Sequence, residues 1–204
     1  EKAWQGVELR IRTDPRVGDT WIRHIDQLDA GASKVFSLID LPLSPALLME
    51  QQERVEGRLV ATLEILKDEE RQHLATHTEP ISILAANEWP GARSLPELLA
   101  AFVQPNHPCL SQIQLEASKI LKEETGNGAL DGYQSKSRHR VASIAGALYT
   151  AMGRRGTTYV APPASFEENG QKIRSHSDVL EMKTAACLDM TVLFGALLEG
   201  SGLH

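Results

Sequence analysis

Cysteine is scarce: Cys109 and Cys187 are the only two in 204 residues. They lie far apart, and neither belongs to a C-x-x-C pair or a Cys/His ligand cluster, so a disulfide framework and a structural zinc site are both excluded. Both read as free thiols of a reducing compartment, which implies a cytoplasmic protein with no bound metal and no cofactor of its own. Long hydrophobic runs are missing too. The stretch 192–198 falls well short of the ~20 apolar residues a membrane span needs, and Glu1 opens no signal peptide. There is no G-x-x-x-x-G-K-[ST], so ATP binding and any motor must lie outside these residues. No internal repeat or low-complexity segment is present. An excess of positive charge is also lacking: the net charge of −6 argues against a broad nucleic-acid-binding face and leaves room only for a local basic patch.

What is present is ordinary globular material, 42% hydrophobic and 24% charged, enough for one large domain or two small ones. A first residue that is not Met suggests a segment of a longer polypeptide. Residues 1–87 read as strands. Val7, Leu9 and Ile11 alternate with charged residues, and Asp14-Pro15 and Gly18-Asp19 punctuate the chain after them. Further runs fall at 21–25 and 34–39. The clearest strand is 55–65, where Val55, Leu59, Ala61, Leu63 and Ile65 share one face and Glu56, Arg58, Thr62 and Glu64 the opposite, wet one. A charged turn at 67–70 leads back through 72–78 and 81–84, and Pro42 and Pro45 mark a loop or short helix. The expectation is a small β-sandwich, immunoglobulin-like in its hairpin-rich build.

Residues 88–91, Glu-Trp-Pro-Gly, mark the boundary to a mainly helical part, 88–204. Leu95, Leu98, Leu99 and Phe102 fall on one helical face behind a Ser94 cap, with Pro96 tolerated in the first turn. Helices are expected over 108–124 and 137–152, then a loop-rich approach over 157–180 with a short strand at 158–160 and a short helix capped by Ser175 or Ser177. The chain closes on a helix that is apolar nearly all round from Leu188 to Leu198, hence buried, with Gly200 and Gly202 as its stop. Thr184 is placed to cap it by accepting the Cys187 N–H. That sets the Cys187 thiol in the first turn, where the positive end of the helix favours thiolate. A small buried hydrophobe is the competing reading of the same residue.

Helix, extended Tyr-containing segment, loop, short helix and then T-x-x-C-x-D opening a long apolar helix resembles the first half of the transglutaminase-like (papain-related) domain. The blocks EWPG, LLAAFVQPNHP, DGYQS, YVAPPASFEENGQKIR and CLDMTVLFGALLEGSGLH, in that order, resemble a region of large bacterial helicase-related proteins. In those, a domain of unknown function precedes a superfamily I helicase motor, often with a nuclease-like end. The resemblance implies an α+β chain whose second part is an incomplete transglutaminase-like domain, and partners in the remaining domains of the parent polypeptide, with nucleic acid reached through that parent. It assigns Cys187 to the nucleophile position, with Thr184 and Asp189 flanking. The family's His and Asp or Asn follow the cysteine helix, beyond this chain, and His204 does not match that His. Ala185-Ala186 stands where the family commonly has Gly-Thr, which makes an inactive, purely structural domain an alternative.

Other residues carry paired readings. Asp189 either orients a neighbouring backbone or complements the helix dipole. Gln171 either donates to an oxyanion, as a Gln does in papain-like enzymes, or serves a turn. Lys136, Arg138 and Arg140, with His139, either touch phosphates or solvate a first helical turn. His107 and Asn106 read as loop architecture, and Trp89 and Tyr133 as packing aromatics. Three functions are open: a non-catalytic accessory region of a helicase-related protein, which the sequence favours; a cysteine-dependent acyl-transfer or peptidase module built on Cys187; or a structural spacer whose cysteine is core.

Overall fold

The computed structural model describes residues 3–67, 70–164 and 166–204. The protein is α+β, and the chain divides into two compact units, Glu1–Ala86 and Asn87–His204.

The first unit holds strands β1 (Trp4–Asp14) and β2 (Trp21–Leu28), a short helix α1 (Pro45–Met49), and strands β3 (Val55–Lys67) and β4 (Glu70–Ile83). All pairings are antiparallel, in the order β2-β1-β3-β4. Val7 lies opposite Ile25 on one side and Ile65 on the other. This row of three is the core of the unit, with Leu28, Phe36, Leu63 and Leu74 packed against it.

Four details depart from the sequence reading. A sandwich needs two facing sheets, and among the described residues this unit builds one. Residues 34–39 form no strand; Phe36 instead sets its ring edge-on to Trp21, 6.2 Å between centroids. The return is a single strand rather than two, because Pro80 pairs with Arg58 on the sheet's outer strand, where a missing N–H leaves no ladder bond broken. The second face of β3 is not simply wet, since Val60 is 8% exposed and Thr62 and Glu64 are half-buried. The charged turn expected at 67–70 falls largely on residues 68 and 69, outside the described residues.

The second unit runs β5 (Glu88–Trp89), two 3-10 turns (Pro96–Phe102 and Pro108–Leu110), α2 (Ser111–Thr125), α3 (Arg138–Gly153), β6 (Thr158–Tyr159), α4 (Phe166–Asn169), β7 (Gln171–Lys172), α5 (His176–Met182), β8 (Thr184–Ala185) and α6 (Cys187–Glu199). Leu193 and Leu197 of α6 pack with Ile113 and Leu121 of α2, Ile144 and Leu148 of α3, and Val179 of α5. Each such side chain contributes about 1.5–3 kcal/mol by leaving water. Along α6 only Cys187, Thr191 and Glu199 are exposed, so the apolar sequence does produce a buried helix. Ser137 and Ser175 cap α3 and α5 through Arg140 N–H and Asp178 N–H.

Ser94 caps nothing. The segment after it is a 3-10 turn that starts behind Leu95, although Leu98, Leu99 and Phe102 do share a face, against Trp89, Ile173 and Val192. Thr184 is no cap either. Thr158 N–H donates to Lys183 O at 2.8 Å and Val160 N–H to Ala185 O at 2.9 Å. These bonds hold residues 183–185 extended beside β6, and Ala186 becomes the N-cap. Among the described residues no helix is long and apolar enough to cross a membrane.

Candidate functional site

The start of α6 borders a cleft of about 420 Å³, walled by residues 160–163, by 171–174 and by Asn87 and Ala186. Backbone bonds build it. The β6–β8 pair carries the 160–163 segment, while the β5–β7 pair and the Ile173 N–H to Asn87 O bond of 2.7 Å carry 171–174. Cys187 comes directly after cleft-lining Ala186, is the first residue of α6 and is exposed. This corrects the core reading of its thiol: α6 buries its flanks but leaves its first residue in water. Among the described residues no hydrogen bond reaches Cys187 Sγ. His204 stacks edge-on to Tyr133, whose hydroxyl donates to the His204 carbonyl.

Asp189 is at the centre of the architecture rather than at the surface of the cleft. Its side chain is 0% exposed. Oδ2 accepts Ala186 N–H at 2.8 Å and Arg174 Nη1 at 2.8 Å, and Oδ1 accepts Arg174 N–H at 2.9 Å. The carboxylate therefore caps α6 from its third residue and ties the cleft wall to that helix. Of its two readings, the structure shows the orienting one: the carboxylate holds the backbone of Arg174 and Ala186.

Gln171 stands in the cleft wall opposite Trp89 in the β5–β7 pair, 5% exposed, with Oε1 buried and unpartnered. Of the other residues singled out, Lys136 and Arg138 are exposed before and at the start of α3. Arg140 is withdrawn from any phosphate. Its side chain is 12% exposed and donates to Thr125 Oγ1 and Asn127 O at 2.9 Å each, Ala129 O at 2.6 Å and Asp131 Oδ1 at 3.3 Å. It braces the loop between α2 and α3.

A thiol–imidazole cluster escaped sequence reasoning. His107 Nδ1 lies 3.0 Å from Cys109 Sγ and also accepts Cys109 N–H at 3.3 Å, so this nitrogen is the acceptor and the thiol its donor. Burial pushes the Cys109 thiol pKa up, and the Glu181 carboxylate adds to that. His176, 2% exposed, sets its ring 5.8 Å from that of His107 and accepts Gln104 N–H at Nε2. Its Nδ1 is buried without a partner. Burial, then His107, hold His176 below its ordinary 6.5. The spacing His-x-Cys around Pro108 is the one signal the sequence offered.

The folded pKa of His176 lies below the unfolded one, so its contribution to stability is whole above about pH 6.5 and is lost as pH falls through that value toward the depressed one. We expect urea unfolding to show stability declining below pH 6.5, by at most about 1.4 kcal/mol per pH unit from this group. His176→Leu should flatten that decline, and an unchanged pH profile in the variant would show that His176 is not its source.

Fold and site together define an α+β chain with an exposed thiol at the head of a buried helix, beside a cleft. No family model, no curated protein and no solved structure matches it. Among the described residues no group of three or more His, Cys, Asp or Glu is arranged to hold a metal ion.

Proposed function

We propose that this chain is a non-catalytic accessory region of a larger, helicase-related cytoplasmic protein. In this reading residues 88–204 fold as the front part of a transglutaminase-like domain. The observation that supports it is the employment of Asp189: each oxygen of the one carboxylate in the cysteine motif is engaged by backbone and Arg174, leaving it no role toward a reacting group. Arg140 is engaged likewise, so a nucleic-acid contact through the basic run rests on Lys136 and Arg138 alone. With two cations the salt dependence of binding is shallow, a log–log slope of about −2. Lys136→Glu with Arg138→Glu should remove it while Arg140→Ala acts on stability. Binding that survives the double reversal would sink this part of the reading.

A second reading has an observation of its own. Cys187 is exposed at the first position of α6, beside a cleft holding the Gln171 amide. As an acyl-transfer nucleophile it would attack a carbonyl carbon while a base takes the thiol proton, a base that the resemblance places after the cysteine helix. The two readings separate on p-nitrophenyl acetate. The accessory reading expects acetylation of Cys187 at the rate of a simple thiol and no turnover. Steady release of p-nitrophenol abolished by Cys187→Ser, in the intact parent or in this chain, would establish the second reading. Iodoacetamide at pH 8 should label Cys187 at least about tenfold faster than Cys109, whose thiol is half-buried and held protonated. Equal rates would contradict the exposure of Cys187.

A further inference from the structure

A second recess, of about 460 Å³, opens between the start of α2, the chain just after α3 and the end of α5. Its apolar surface comes from Ile113, Leu180 and Cys109, and its polar rim from Gln112, Arg154, Arg155 and Lys183. Both arginines lean on one carboxylate: Arg154 Nη1 lies 3.4 Å and Arg155 Nη2 2.8 Å from Glu116. Arg155 Nη2 also donates to Gln112 O at 3.1 Å, but its Nε is buried and has no partner. Lys183 adds an exposed ammonium from an unusual position. It ends α5 with φ +53°, in the left-handed region where glycine or asparagine is the ordinary choice. Three cations thus line the recess, two of them paired with Glu116, with Glu181 acting on Cys109 nearby. The balance is positive on a chain whose overall charge is −6.

We propose that this recess binds the terminal phosphate of a small phosphate monoester. Three separate cationic side chains match a group with three terminal oxygens. A carboxylate, with two oxygens in one plane, is already represented by Glu116, which serves both arginines and leaves Arg155 Nε unmet. Half-buried Leu180 and Cys109 supply an apolar surface for whatever carries the phosphate, and the volume suits a ligand of nucleotide size. The site is independent of Cys187 and of the function proposed above.

The test is a titration of the whole chain with inorganic phosphate and, separately, with AMP, followed by calorimetry and by the NMR signals of Arg155 Nε–H and the Lys183 amide. Saturable shifts of both signals are expected. Tighter binding of AMP than of phosphate identifies a carried monoester; equal binding identifies free phosphate as the occupant and overturns the ester. Arg154→Ala and Lys183→Gly should each weaken binding about tenfold, the loss of one charge-assisted contact. Lys183→Gly is the sharper variant because glycine suits the backbone there, so the fold is retained while the ammonium is lost. No saturable shift up to about 10 mM of either probe, where even a millimolar site would be filled, overturns the proposal. So does binding that neither substitution weakens.

Discussion

Asp189→Ala should destabilise the second unit by about 3 kcal/mol, while Arg174→Ala, which removes the same ion pair from its other end, should cost under about 1 kcal/mol. The asymmetry comes from what each change leaves behind. Without the carboxylate, the N–H groups of Ala186 and Arg174 lose their acceptor at a site where the Asp189 side chain is 0% exposed. An orphaned buried donor costs about 1–3 kcal/mol. Without the guanidinium, the carboxylate still accepts both N–H groups, and a side chain that was already 36% exposed has simply left for water. Folded domains retain about 5–15 kcal/mol in all, so the first substitution removes a large share. Urea unfolding of both single variants and the double variant measures this directly. Equal costs for the two single variants would mean that the ion pair, rather than the backbone cap, carries the stabilisation. Asp189→Asn, which keeps one acceptor oxygen, should fall between them. Because the same carboxylate fixes the 171–174 wall of the cleft, Asp189→Ala should also change the alkylation rate of Cys187, which Arg174→Ala should leave nearly unaltered.

How far the sequence disclosed this site depends on whether a residue's partner is local. The α5 cap, offered by Ser175 or Ser177 and made by Ser175, was legible because the accepted N–H lies three residues on. The α6 core was legible because an all-round apolar helix has no face to give to water. Thr184 was misassigned because its competitor, the Thr158 strand, lies 26 residues upstream, and no local rule weighs a remote backbone bond against a cap. Arg140 was misread for the same reason: a basic run looks like a surface until the carbonyls of a folded-back loop claim the guanidinium. The row of Val7, Ile25 and Ile65 across the first sheet could be anticipated from alternation. Whether a second sheet faces it depends on segments such as 34–39, whose β-branched and aromatic content suits a strand but which finds no partner. The Cys109–His107–His176 cluster joins residues nearly 70 positions apart, and only its His-x-Cys half was visible.

Gly170→Ala should cost about 3 kcal/mol or more and should open the cleft, the second large effect expected of this chain. Two penalties coincide at this position. Its φ of +77° lies in the region L side chains rarely adopt, and an added Cβ would stand 2.0 Å from Trp89 O and 2.7 Å from the Cα of Pro90. These are backbone atoms of the segment that pairs with Gln171, so neither can swing aside as a side chain would. Gly126 supplies the control. It has the same φ of +77° and nothing within 4 Å of its missing Cβ, so Gly126→Ala isolates the conformational penalty, about 1 kcal/mol. The difference between the two variants measures the close approach of strands β5 and β7. Trp89 reports the structural consequence, because at 5% exposure its fluorescence should shift to the red in Gly170→Ala and not in Gly126→Ala. If both variants lose the same free energy with Trp89 unmoved, the β5–β7 contact is looser than described and Gln171 is not fixed in the cleft wall. If Gly170→Ala loses far more, the pairing that brings Gln171 to the head of α6 is a constraint on the backbone itself, and the glycine before Gln171 is as much a part of the site as the thiol beside it.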